Sequence, residues 1–331
     1  MSAVTLAAPT SLEELLLRSG PVALDLSGAQ QSAWNGQVVE SVNDVLGLAH
    51  WDGTLHLDRE YILDPLREMY ALAGRQHPIA QLARYREALA TILHEHSHFL
   101  GPAGATQEAA RAAFVRPGSR QLEEGVAEAW AQAHLDDYLH HLGIDKVAPG
   151  IDSFRTNGHY APYVTAVRML TTDLDTRAAV PSGTILTTLN NQTAEHQLDL
   201  LATLYYNSTR LPDLEPSGPQ TRLHLESLLR ESLATLDNHL LLPPLQATAR
   251  AKAGTQAFLS HLHAEIARAE AHYTRRQIPH PARIAFAGLP GPAGATGPVP
   301  RTQLAIAGGL QRSRTDLGGG VGPGQASSLC R

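Results

Sequence analysis

The stretch Leu93-His94-Glu95-His96-Ser97-His98-Phe99 holds two histidines four residues apart with a glutamate directly after the first, the pattern H-E-x-x-H. On an α-helix, residues four apart are displaced by only about 40° around the axis and one turn along it, so His94 and His98 share a face and can bind one metal ion. Glu95 lies about 100° further round, badly placed as a third ligand on that face but close enough to hold a water on the ion. That is the position of a general base. His96, about 200° from His94, points away from the metal and reads as a core or supporting residue. The pattern is the first half of a catalytic zinc site.

Such a site needs a helix to carry it. Residues 79–99 have apolar side chains at helical spacing and no internal Gly or Pro, and Gly101-Pro102 ends the run. A catalytic zinc also needs a third protein ligand and an open fourth position. In the longer pattern H-E-x-x-H-x-x-G-x-x-H the last histidine would supply it; Gly101 falls at the glycine position, but Gly104 occupies the histidine's place. The ligand must come from elsewhere, and the segment Gln121-Leu122-Glu123-Glu124-Gly125-Val126-Ala127-Glu128 has suitable composition and distance.

With these two segments the chain resembles the gluzincins, zinc peptidases typified by thermolysin and the aminopeptidase N family, over roughly residues 50 to 175. In them a downstream helix carries a glutamate ligand and an acidic residue four positions on. The resemblance implies that Glu124 binds zinc and that Glu128 orients a histidine ligand through its ring N–H. Glu123 is the rival for the ligand, since spacing does not separate adjacent residues. A third segment, Tyr160-Ala161-Pro162-Tyr163 through Arg168-Met169-Leu170, resembles an aminopeptidase N stretch whose tyrosine stabilises the oxyanion. Tyr160 takes that place, with His159 as the alternative donor. Pro162 and Tyr163 replace the family's Lys-Gly and its amine-recognition motif is not evident, so aminopeptidase specificity is not implied.

The implied protein is a zinc metallopeptidase acting on a peptide or protein substrate: one Zn2+ per chain on His94, His98 and Glu124, Glu95 as general base, and Tyr160 at the oxyanion. Two alternatives stand beside it. One is an intracellular regulatory protease that cuts a single partner, as in the ImmA/IrrE-like peptidases, whose motif also pairs H-E-x-x-H with a downstream Glu. The other is a helical interaction protein whose histidines are structural or bind metal without catalysis.

Composition narrows the field. With 331 residues, 43% of them hydrophobic, the chain can bury a substantial core. A formal charge of -6 without a basic patch argues against nucleic acid and anionic membrane as partners. The single cysteine, Cys330, excludes an intrachain disulfide framework and a Cys-based zinc site. The N-terminal residues lack a basic region followed by an apolar core, and no apolar run approaches the ~20 residues that span a bilayer. The expectation is a soluble cytoplasmic protein, leaderless export being the alternative.

The motifs sit in a chain whose strand signals gather early, at residues 21–26 and 53–58, the second behind the turn-forming Asp52-Gly53. Residues 54–58 are the candidate edge strand for pairing with an extended substrate. Helices are expected near 62–74, 79–99, 105–115, 119–142, 160–174, 191–206, 219–238 and 246–275. The fold class is therefore α+β and predominantly helical, without a parallel sheet. The expected division is an N-terminal β-containing region with a small sheet (1–60), a zincin-like catalytic core (61–175), a helical C-terminal region (176–275) and a Gly/Pro-rich, disordered tail (276–331). The tail includes four collagen-like Gly-X-Y triplets at 288–299.

Overall fold

Ser11 opens the first helix, α1 (Leu12–Ser27), by accepting the Glu14 amide on its side chain, and Gly28, left-handed at φ 66°, closes it by donating to the Leu24 carbonyl. This helix absorbs residues 21–26, where the sequence suggested a strand. Leu12, Leu15, Ser19 and Ala23 recur at helical spacing on its buried face, and Pro21 interrupts the ladder without ending the helix. The computed structural model describes residues 7–41, 45–156, 158–216 and 220–277. The collagen-like triplets, Cys330 and the rest of the tail expected beyond 277 lie outside the described residues.

Short strands follow: β1 (Gln31–Ser32), β2 (Val38–Ser41), β3 (Gly47–Ala49) and β4 (Leu55–Asp58). β4 runs into a π-helical turn, Arg59–Leu63, and then α2 (Asp64–Ala71). The motif helix α3 (Ile79–His98) leads to β5 (Leu100–Gly101), which pairs antiparallel with β1. The remainder is helical: α4 (Gln107–Phe114), α5 (Ser119–His141), α6 (Ile144–Val147), α7 (Ala161–Arg177), α8 (Thr184–Asn190), α9 (Ala194–Asn207), α10 (Leu211–Leu214) and α11 (Gln220–Ala234). A 3-10 turn, Thr235–His239, then joins α11 to α12 (Pro244–Gln277). The architecture is α+β and predominantly helical, and no helix among the described residues is long and apolar enough to cross a membrane.

The sheet departs from expectation in two ways. Its order is β2-β4-β3, so β4, nominated as an edge, is the central strand. Leu55 and Leu57 are fully buried and His56 is half-covered, a strand enclosed on both faces. β2 also pairs parallel with β4, because the connection between them, residues 42–54, is long enough to hold β3 and its hairpin turn on the way. β3 is thus an outer strand. Leu46 and His50 bond across to Asp58 and Thr54, which turns the peptide groups of Gly47 and Ala49 outwards.

α3 is buried on nearly every side over its last two turns, including the motif residues His94 to Ser97. α5 packs between it and α7. At the α5–α7 contact a Cβ on Gly125 would stand 2.7 Å from Val167 Cγ2 and 3.0 Å from the Tyr163 carbonyl. The helix expected at 191–206 is α9, which starts at Ala194, and a further helix that the sequence did not suggest, α8, precedes it; Asp175 of α7 accepts the amides of Gly183 and Ile185 at 2.7 and 2.9 Å and caps α8. The apolar core runs without interruption from Leu12 to Ile266.

Replacing a helical glycine by alanine ordinarily gains up to about 1 kcal/mol, but overpacking a tight contact costs about 1–3 kcal/mol. Gly125→Ala is therefore expected to destabilise the protein, read as a lowered urea midpoint with an unchanged slope.

Candidate metal centre

Helical spacing brings His94 and His98 together as anticipated: their rings meet edge to face at 4.9 Å, with Nε2 atoms 3.2 Å apart. Glu124 of α5 completes the triangle, its Oε2 lying 3.3 Å from His94 Nε2 and 3.7 Å from His98 Nε2. Among the described residues this set could hold a metal ion, all three ligand atoms lying within 4.8 Å of one another. Tetrahedral ligands at zinc distances of ~2.0–2.1 Å stand roughly 3.3 Å apart, so the three spacings match such a shell with little rearrangement. Glu124 and His98 are the most open side chains of the group, 14% and 13% exposed, and leave a solvent-facing side for a fourth ligand.

The other imidazole nitrogens point at carboxylates. His94 Nδ1 donates to Glu128 Oε2 at 2.8 Å, and His98 Nδ1 donates to Glu123 Oε1 at 3.1 Å. A carboxylate accepts only, so each Nδ1 keeps its proton and each Nε2 faces the gap shared with Glu124, available as a ligand once deprotonated. Adjacent residues on a helix diverge by about 100°, and that separates the two rivals: Glu124 faces inwards, Glu123 takes the outer nitrogen of His98. Glu128 is held in turn, its Oε1 accepting from Gln132 Nε2 at 2.8 Å and from the His159 amide at 3.1 Å. Gly158 is required there, because a Cβ would fall 1.8 Å from Glu128 Oε1 and 1.9 Å from Gln132 Nε2. Sequence reasoning missed Gln132, Gly158 and the supporting role of Glu123; the one local hint was Gln132 one turn after Glu128.

Glu95 is buried beside the ligands, and its Oε2 accepts the outward amide of Ala49 on β3 at 2.8 Å. A Cβ on Gly47 would come within 2.6 Å of Glu95 Cγ, so this glycine lets the strand close over the carboxylate. A cleft of about 560 Å³ is lined in part by Leu46, Ile62, Thr91 and His159, with none of the three ligand-forming residues among its walls. Thr91 is one turn before Glu95, and Leu46 adjoins Gly47. Tyr160 caps the start of α7, and its ring lies over His94 at 6.0 Å with 21° between the planes. His159, the alternative donor, is exposed and contributes its backbone amide to Glu128. His96 points the other way, sharing a 2.6 Å hydrogen bond with Ser19 Oγ and meeting Trp34 edge to face, and burial pushes its imidazole down to about 3.

Electrostatics follow from that packing. Burial would lower the His94 imidazole, but hydrogen bonds to Glu124 and Glu128 outweigh it and raise His94 to about 10. His98 is likewise raised well above its ordinary value, Glu123 and Glu124 outweighing its burial. Against the same desolvation, His94 and His98 hold Glu124 well below the usual carboxylate range. Glu95 moves in the opposite direction, raised by burial with partial relief from the two imidazoles. Four carboxylates, Glu95, Glu123, Glu124 and Glu128, surround two imidazoles, and within that set His94, His98 and Glu124 could hold a metal ion.

Compared with protein-family models, with curated proteins and with solved structures, the chain matches none.

His94, raised to about 10, carries an extra proton near neutral pH in the ion-free protein and must lose it to ligate. Loading with zinc is expected to release at least one proton per ion, measured by calorimetry in buffers of different ionisation enthalpy. Glu128→Ala, by freeing the His94 ring, is expected to weaken zinc binding by about 10–100-fold in competition with a chromophoric chelator.

Proposed function

We propose that the protein is a zinc-dependent metallopeptidase of the gluzincin kind, with His94, His98 and Glu124 as ligands and Glu95 as general base. The observation that carries this reading is the convergence of three ligand atoms from two helices at the spacing of a tetrahedral shell, with a carboxylate behind each imidazole. The small sheet whose outer strand passes alongside Glu95 supports a zincin-like arrangement.

Zinc bound there would acidify a water toward a pKa of about 7 and polarise a substrate carbonyl. Glu95 accepts the proton of the attacking water and returns it to the leaving amine as the C–N bond breaks. Burial suits it to the first step, because a carboxylate of raised pKa takes the proton of the attacking water more readily than an exposed one does. Its bond to the Ala49 amide keeps the carboxylate oriented while the proton moves. Tyr160, seated on His94, donates its phenol to the developing oxyanion. With the Ala49 amide taken by Glu95, the outward carbonyls of Gly47 and Ala49 offer an extended peptide main-chain acceptors along β3, and the cleft next to Thr91 receives one of its side chains. Peptide is thus the substrate class, and the charge of -6 gives no attraction to nucleic acid.

Metal analysis by mass spectrometry on the purified protein, beside a His94→Ala/His98→Ala variant, tests the site. One zinc per chain, lost in the variant, is the expected result; near-zero metal after reconstitution, or stoichiometric iron in its place, overturns the reading. Glu95→Gln is expected to retain its zinc and to lose about 10²–10⁴-fold in kcat on a mixed peptide library. A Glu95→Gln protein that cleaves as fast as the parent would show that hydrolysis arises elsewhere.

A further inference from the structure

Tyr160 and Tyr163 stack almost face to face, 5.5 Å apart and 6° from parallel, and Tyr160 in turn lies on ligand-forming His94. The far end of this stack is gripped by Asp237, which belongs to the 3-10 turn Thr235–His239 between α11 and α12. Asp237 Oδ1 accepts the Tyr163 hydroxyl, and its Oδ2 accepts Arg120 Nη2 at 2.9 Å. Arg120 stands one turn before Glu124 on α5. One carboxylate therefore ties together the helix that supplies the third ligand and the helix whose first turn covers His94.

The backbone at Tyr160 strengthens the point. It is left-handed, with φ 53° and ψ 37°, a region that residues with a Cβ seldom adopt and that persists where surrounding structure imposes it. Tyrosine is neither glycine nor one of the short polar residues that visit this region most readily. The stack on Tyr163, fixed by Asp237, supplies a tertiary reason.

We propose that Asp237 is a positioning residue of the hydrolytic centre: by holding the Tyr163 hydroxyl it keeps the Tyr160 ring seated on His94 and its phenol at the reacting carbonyl. The inference rests on the metallopeptidase reading for its catalytic consequence, and it makes the segment between α11 and α12 part of the active centre.

The test uses full-length protein labelled with 3-fluorotyrosine, in wild-type, Asp237→Asn and Tyr163→Phe forms, with Tyr160→Phe to assign the Tyr160 resonance by 19F NMR. Asp237→Asn keeps the shape of the side chain, and Tyr163→Phe keeps the ring while removing the hydroxyl, so one can stand in if the other folds poorly. Both are expected to move or broaden the Tyr160 signal in the metal-free protein, at unchanged helical content by circular dichroism. In zinc-loaded protein each is expected to lower kcat by about tenfold or more with KM held within about twofold, at one zinc per chain. The double variant is expected to be no slower than either single, because both changes cut the same bond. An unmoved Tyr160 signal, an undiminished kcat, or losses that multiply in the double variant would overturn the proposal. Should the wild-type protein hold no zinc and cleave no peptide, the metallopeptidase reading fails, whereas the Tyr160 signal still decides whether Asp237 positions that ring.

Discussion

Two imidazoles and four carboxylates share one largely buried layer between α3, α5 and β3, and the need to pair them governs the rest of the structure. Removing a charge from water is costly unless a partner and hydrogen bonds replace the solvent, so a layer of this kind tolerates little slack in how its helices are set. Each imidazole faces one carboxylate at Nδ1 and approaches a shared one at Nε2. Rotating α5 against α3 would leave several buried acceptors unmatched at once. The excess of negative charge also explains why both imidazoles are raised above their ordinary range despite their burial.

Glycine makes room for that layer from three directions. Gly47 lets β3 lie on Glu95, Gly158 lets the chain ahead of α7 lie on Glu128, and Gly125 lets α7 itself approach α5. In each case the neighbour that a Cβ would strike either belongs to the centre or carries one of its residues. Helix and strand propensity would favour larger residues at these positions, which indicates that close approach around the carboxylates outweighs local preference.

The C-terminal helices are not a remote appendage to this arrangement. Asp175 of α7 caps α8, Asn191 after α8 donates to the Ser27 carbonyl at the end of α1, and Asp237 reaches Tyr163 and Arg120. Polar side chains at helix ends thereby link segments as far as 164 residues apart in sequence, and the first turn of α7 is held over His94 from behind.

The 20-residue motif helix, the shared face of His94 and His98, and the outward direction of His96 were all determined by the sequence itself. Helical periodicity converts spacing within one element into angle without reference to anything outside it. The same local logic located α5 and α7 to within a few residues, and it failed at residues 21–26, where a short, largely apolar run suits strand and buried helix alike. What lay between elements was settled by tertiary packing: that β4 is central and β3 outermost, that Glu95 rests on the Ala49 amide, that Tyr160 covers His94, and that Glu124 faces inwards where Glu123 faces the outer nitrogen. Those outcomes depend on the rotation and register of one element against another, which arise from contacts distant in sequence and leave no periodic trace along the chain.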